Sequence, residues 1–285
     1  MDTRETGRTL YVSDLDGTLL RSDDSVSARS AALLNEVIAE GGLITYATAR
    51  SFASSRKATE SLRIALPVIT YGGTIVADAE TGVPIDVRLL PAEVVEHAVA
   101  ESERHDGVQP ILHTFEDGRD WLRWDPSGMT PGTARFVGYR EGDRRLRPIT
   151  PDDPADHRSV FYVATLAPRP ALVAYRSGLA PVLDLAAHFL SEDAHTPGLD
   201  WFEFHSPDGT KAAAITRLAA RLAADRIVVF GDSHNDVPMF TIADEGYAIA
   251  NAVPELKAIA TGVLDHHDTD AVAEWIAADW LTSKA

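Results

Sequence analysis

The sequence predicts an α/β fold, a doubly wound parallel-sheet core with an α+β domain inserted into it. Three observations lead there. Short β-branched apolar runs alternate with helix-period segments up to residue 71, the rhythm breaks at Gly72-Gly73, and it returns from Gly209. Alternation of this kind builds parallel strands covered by helices on both faces. The chain has 285 residues, 45% hydrophobic and 24% charged, an ordinary globular composition with room for one large domain or two modest ones.

Taken in order, Thr9–Ser13 (TLYVS) reads as a buried strand ending at Asp14. Residues 27–40 place Ala31, Leu34, Val37 and Ile38 at helical spacing, and Gly41-Gly42 stops that helix. Residues 43–47 form a second strand, 52–62 a second helix, and 67–71 a third strand of the parallel sheet. Thr74–Ala77 and Ile85–Leu89 flank the turn-rich ADAETGVP, the pattern of a hairpin. Residues 91–105 read as an amphipathic helix. A stretch rich in Pro, Gly, Trp and Arg runs over 117–154, and strand-like runs recur at 159–166 and 201–205. This middle third is the inserted domain, placed at 85–205, with the core at 1–84 and 206–285. A helix over 210–223 and a strand over 226–230 resume the α/β rhythm.

The absence of cysteine excludes disulfides, thiolate catalysis and cysteine-held zinc or iron–sulfur clusters. A net charge of −17 opposes binding to nucleic acid and to anionic membranes. The first ten residues carry no apolar stretch of a secretory signal, and no apolar run reaches the roughly 18 residues of a membrane span. A cytoplasmic monomer or small homo-oligomer is the expectation.

Four polar motifs sit where core strands end, and an open parallel sheet binds ligands outside the carboxyl ends of its strands. The first is Asp14-Leu15-Asp16-Gly17-Thr18. A carboxylate just past a strand serves as a nucleophile, a second one two residues on serves as acid and base, and Gly17 permits a tight turn with N–H groups facing an anion. The second is Ala47-Thr48-Ala49-Arg50, a hydroxyl at a strand end with a cation beside it. The third is Lys211, in the first turn of a helix, where the dipole disfavours a cation unless an anion holds it. The fourth is Gly231-Asp232-Ser233-His234-Asn235-Asp236, two carboxylates four apart after an apolar strand, suited to a hard cation such as magnesium.

In this order the motifs resemble the haloacid-dehalogenase-like (HAD) superfamily, and within it the Cof-type phosphatases. The resemblance implies a Rossmann-like core with a large inserted cap, and magnesium-dependent hydrolysis of phosphate monoesters of small metabolites, sugar phosphates or similar, through an aspartyl-phosphate. It implies Asp14 as nucleophile and Asp16 as general acid and base. It implies phosphate binding by Thr48, Ala49, Lys211 and Asn235. Mg2+ would be held by Asp14, the Asp16 carbonyl and Asp232, with Asp236 in support, and Asn251 matches a further polar position. Positions 14 and 48 are separated by 33 residues, too few for a domain, whereas 162 residues separate Thr48 from Lys211, enough for the large cap. Two departures stand out: Ala49 where Cof-type sequences commonly have glycine, and Gly72 before Gly73 where they have asparagine. A phosphomutase or a non-catalytic phosphometabolite-binding protein are the alternatives.

Substrate choice is expected from the cap, with Trp121, Arg123, Trp124 and Arg135 as the aromatic and guanidinium candidates, beside Arg50, Gly72 and Gly73 in the core. Glu203 and His205 end a cap strand. His266-His267 has no visible third ligand and reads as surface.

Overall fold

The computed structural model describes residues 8–193 and 196–284. The chain opens with β1 (Thr9–Ser13), buried along its whole length. α1 (Ala28–Ala39) follows, its free N-terminal amides capped by Ser27, whose side chain accepts the N–H of Ser30. β2 (Leu43–Tyr46) and α2 (Phe52–Ala58) come next, α2 capped in the same way by Ser51. Then β3 (Val68–Thr70), β4 (Ile75–Ala77) and β5 (Pro84–Val87) form a small sheet in that order.

Here the structure corrects the reading of 67–71. β3 pairs antiparallel with β4 and meets the strand before it through one parallel bridge, Ala47 to Ile69. The cause is the turn at 71–73, where Tyr71, Gly72 and Gly73 all have positive φ (49°, 67° and 113°) and send the chain straight back. The second helix also ends early, at Ala58, where Thr59 turns its hydroxyl back onto the Ser55 carbonyl.

The inserted segment carries α3 (Ala92–Ser102), β6 (Ile111–Glu116), β7 (Arg119–Arg123), α4 (Pro131–Gly138), β8 (Val160–Ala167), α5 (Arg169–Gly178), β9 (Ala187–Glu192) and β10 (Asp200–His205). Its five strands run in the order β7-β6-β8-β10-β9, each pair antiparallel. Val94, Val95 and Ala98 of α3 and Leu172 and Tyr175 of α5 pack on Leu112, Val163, Phe202 and Phe204 of the sheet. α4 lies inside the Arg/Trp-rich stretch, started by Thr130 as cap and Pro131 at the first helical position.

The chain then returns to the first unit through α6 (Lys211–Leu222), β11 (Arg226–Gly231), α7 (Val237–Ile242), β12 (Glu245–Ile249), α8 (Pro254–Ile259), β13 (Gly262–Leu264) and α9 (Ala271–Ser283). A parallel sheet forms in the order β13-β12-β11-β1-β2. Ala214, Ile215 and Leu218 of α6 pack with Val12, Val229 and Met239, and each fully buried aliphatic side chain of this size contributes roughly 1.5–3 kcal/mol. The two units are Met1–Asp86 with Thr210–Ala285, and Val87–Gly209. These limits fall a few residues later than expected, because β5 pairs within the first unit's small sheet and Thr210 caps α6. Among the described residues no helix is long and apolar enough to cross a membrane.

Candidate active site

Register places the site. Ser13 pairs with Phe230 on one side and Tyr46 on the other, so β1, β11 and β2 finish level. Just past these pairs stand Asp14, then Gly231, the last residue of β11, with Asp232, and Ala47-Thr48. Asp14 continues the ladder for one more bond, its N–H donating to the Phe230 carbonyl at 2.9 Å. Lys211, at the first position of α6 and 2% exposed, donates from Nζ to Asp14 Oδ1 at 2.6 Å and to Asp236 Oδ1 at 2.7 Å. Asp236 accepts the N–H groups of Asp232 (2.9 Å) and Ser233 (3.0 Å) on its other oxygen.

One carboxylate oxygen each of Asp14, Asp232 and Asp236 lies within 4.8 Å of the others. Three carboxylates face one ammonium, an excess of two negative charges. Burial pushes Asp14 well above the ordinary carboxylate range despite Lys211. Burial and the neighbouring Asp236 push Asp232 up to about 6. Burial works against the Lys211 charge, but Asp14 and Asp236 outweigh it and raise that pKa. A divalent cation cancels this excess, and an all-oxygen donor set suits magnesium. Asp14 and Asp232 have oxygens to offer it. Asp236, with the Lys211 ammonium on one oxygen and two N–H groups on the other, contributes charge and fixes Lys211 and the loop.

Asp14, Asp16, Gly17, Ala49, Asp232, Ser233 and Asn235 line a cavity of about 320 Å³. Gly17 has φ +70°, and a Cβ there would come within 2.3 Å of Asp232 Oδ2, so glycine is required twice over. Thr48 is fully buried; its hydroxyl accepts the Arg50 N–H at 3.1 Å, which leaves a proton to donate. Asn251 braces two motifs, donating to the Gly17 carbonyl at 2.8 Å and reaching Asp232 Oδ2 at 3.4 Å. The outer face of the cavity carries Asn235, whose Oδ1 accepts from Ser233 Oγ.

Two core residues are corrected. Arg50, expected to offer its charge to a ligand, grips the Asp16 carboxylate from Nε (2.9 and 3.0 Å) and Nη2 (2.5 Å), and also reaches Asp24. Gly73 is a packing position. A Cβ on it would lie 2.2 Å from the Thr210 carbonyl carbon, so the 71–73 turn docks directly on the start of the lysine-bearing helix. Gly72, by contrast, has open space around its Cα. Sequence reading missed the Arg50–Asp16 pair and the contact of Thr18 Oγ1 with Asp232 Oδ1 (3.4 Å), although Thr18 stood in the first motif.

Within the inserted domain, Arg123 is also corrected. It is fully buried, bound to Glu116 (3.4 Å) and to the Asp153 carboxylate (3.3 Å) and carbonyl (2.7 Å). That network, with Arg147 on the same two acids, holds the domain together and leaves no guanidinium for a ligand. Trp124 is buried too, at 7% exposure. Trp121 is layered between Arg119, 3.9 Å from the ring centroid, and Arg147 at 5.0 Å. Arg135 is exposed, stacks on Tyr139 and donates to Thr196 Oγ1.

Glu203 accepts the Tyr162 hydroxyl at 2.9 Å, and His205 stacks on Tyr162. Burial pushes Glu203 up to about 7, with the Tyr162 bond opposing, and pushes His205 down. An acid with a raised folded pKa binds its proton more tightly in the folded state. Its contribution is therefore complete at low pH and lost as pH rises from the usual carboxylate range to about 7. In denaturant titrations Glu203→Gln is expected to flatten that decline and to exceed the parent in stability at pH 8. An unchanged pH profile would refute the assignment.

The model of the haloacid dehalogenase-like hydrolase family matches residues 11–128 and 182–276. The HMP-PP phosphatase of Cronobacter sakazakii is 28% identical over 274 residues, 94% of either chain. The 5-amino-6-(5-phospho-D-ribitylamino)uracil phosphatase YitU of Bacillus subtilis is 22% identical over 284 residues, 95% of this chain and 97% of the relative. Among solved structures, BT1666 of Bacteroides thetaiotaomicron, from a study of phosphatases of the haloalkanoate (HAD) enzyme superfamily, shares the fold. Its TM-score is 0.74 at 19% identity, over 97% of this chain and 96% of that one.

Proposed function

The chain belongs to the haloacid dehalogenase-like hydrolases, and from that membership and the geometry of its site we propose that it is a phosphatase. It hydrolyses phosphate monoesters of small metabolites by way of an aspartyl-phosphate on Asp14. The observation that carries this is the buried Lys211 bridging Asp14 and Asp236 beside Asp232, at the mouth of three level strands.

The Asp14 oxygen not bonded to Lys211 attacks phosphorus, and the ester P–O bond breaks. Asp16 gives its proton to the departing alkoxide, so alcohol leaves and the phosphoryl group stays on Asp14. Water then attacks the acyl-phosphate and passes a proton to Asp16, releasing phosphate and restoring both carboxyl groups. Lys211 and the Thr48 hydroxyl stabilise charge on the phosphoryl oxygens. Asp14, Asp232 and the Asp16 carbonyl would hold Mg2+, which would supply further neutralisation of the transferring group. Arg50, which grips the Asp16 carboxylate in this structure, has to yield it for Asp16 to carry the proton it donates. Selection among substrates is assigned to the inserted domain. Two relatives carry the names of HMP-PP and of a phosphorylated ribitylaminouracil, so such phosphorylated metabolites head the panel to assay.

Chelation is expected to reduce phosphate release from such a panel to background, and added Mg2+ to restore it. The ion also relieves the carboxylate excess. At a hundredfold over its Kd it adds about 2.7 kcal/mol to stability, a rise in Tm of roughly 4–5 °C in a chain of this size. Release unaffected by chelation, or a Tm indifferent to Mg2+, would refute the metal assignment.

A further inference from the structure

We propose that His266, His267 and Asp268 form a second metal site, for a borderline transition ion such as Zn2+, distinct from the all-oxygen site at Asp14. The sequence displays two adjacent histidines; the fold adds the third ligand. A turn at 266–269, closed by the Thr269 N–H on the His266 carbonyl at 2.8 Å, brings one ligand atom from each residue within 4.8 Å of the others. His266 Nδ1 and Asp268 Oδ2 stand 3.6 Å apart. Two ligands at ~2.1 Å from a tetrahedral ion are about 3.4 Å apart, so this pair closes on an ion with little movement.

Two of the three ligands, His267 and Asp268, are also oriented by a partner behind them. His267 Nδ1 lies 2.8 Å from the Leu20 carbonyl, which only accepts, so Nδ1 carries the proton and Nε2 keeps the lone pair. The Asp268 carboxylate is fixed by the N–H and the hydroxyl of Ser22, both at 2.8 Å. On His266 the Nδ1 lone pair accepts the Asp268 N–H at 3.3 Å, a long bond that a bound ion would replace. Supports of this kind are what metal-binding histidines and carboxylates use to hold their direction. Two imidazoles and a carboxylate favour Zn2+, Cu2+ or Ni2+ over Mg2+, and leave coordination positions for water. Half-exposed His266 and Asp268 give an ion direct entry.

The turn also touches Asn251. The His267 N–H donates to Asn251 Oδ1 at 3.2 Å, and Asn251 in turn holds Gly17 and Asp232. Asn251 thus links the turn to the first and fourth motifs.

The test is calorimetric titration of Zn2+ into the full chain in excess Mg2+, for the parent, Asp14→Asn and His266→Ala. His266 is a surface side chain, and matching circular dichroism spectra verify that each protein is folded. Parent and Asp14→Asn are expected to share a Zn2+ site whose affinity falls at least about tenfold in His266→Ala. Equal affinity in the parent and His266→Ala, or no Zn2+ bound in excess Mg2+, overturns the proposal. Because Asp14→Asn disables only the catalytic reading, the two assignments fail separately.

Discussion

Phosphate release by Asp14→Asn is expected to fall by at least about 10³-fold, the scale of losing a covalent nucleophile, while the protein stays folded. Stability should move the other way. Burial holds the Asp14 carboxyl well above its ordinary range, so the folded state prefers the protonated form. A raised acid contributes fully at low pH and loses that contribution as pH rises past its unfolded value. At neutral pH and without metal, the Asp14 charge therefore costs stability, and the neutral amide removes that cost. Denaturation in chelator should show Asp14→Asn at least as stable as the parent. A variant that releases phosphate at the parental rate would end the nucleophile assignment. One that unfolds would show that Asp14 serves the fold.

Lys211→Ala is expected to have the second-largest effect, and on both readouts. Removing one partner of a buried ion pair costs about 3–5 kcal/mol, and here two carboxylates lose their common cation. Asp14 escapes part of the penalty by taking a proton, so the loss should be smaller at pH 5 than at pH 8. Asp236→Asn in the same chain should recover some of it, giving a coupling of about 0.5–3 kcal/mol in a double-mutant cycle. Loss of a positive group poised on the phosphoryl oxygens should lower turnover by about 10²–10³-fold. Equal stability of Lys211→Ala and parent in chelator would mean that the bridge contributes nothing.

The parts of this site that were legible in the sequence are those made by a strand and the few residues after it. TLYVS before Asp14 and IVVF before Gly231-Asp232 announce buried parallel strands, and a turn-forming glycine beside carboxylates announces a loop that faces an ion. Lys211 was legible as a cation in the wrong place on a helix, a conflict that only an anion resolves. Side-chain partners far apart in the chain were not legible. Arg50 finds Asp16 across 34 positions, and Asp268 finds Ser22 across 246, with no periodicity to mark either pair. Composition likewise gave no means of separating an inward Arg123 from an outward Arg135, because burial depends on where Glu116 and Asp153 come to lie. The third strand was recognised as a strand but given the wrong partner. Its pairing is decided by three consecutive left-handed residues, and propensity carries no such information for Tyr71.

The docking of Gly73 on Thr210 bears on how this architecture can change over evolutionary time. Asp86, the last residue before the excursion to the inserted domain, is tied to Arg217 of α6 at 2.9 Å, and Thr210, the first residue after it, rests against Gly73. Both ends of the insertion are thus clamped by the core's own contacts. A module anchored in this way can be lengthened, exchanged or recombined as a cassette while the lysine stays in place over the aspartate. Selectivity and chemistry can then drift at different rates within one gene.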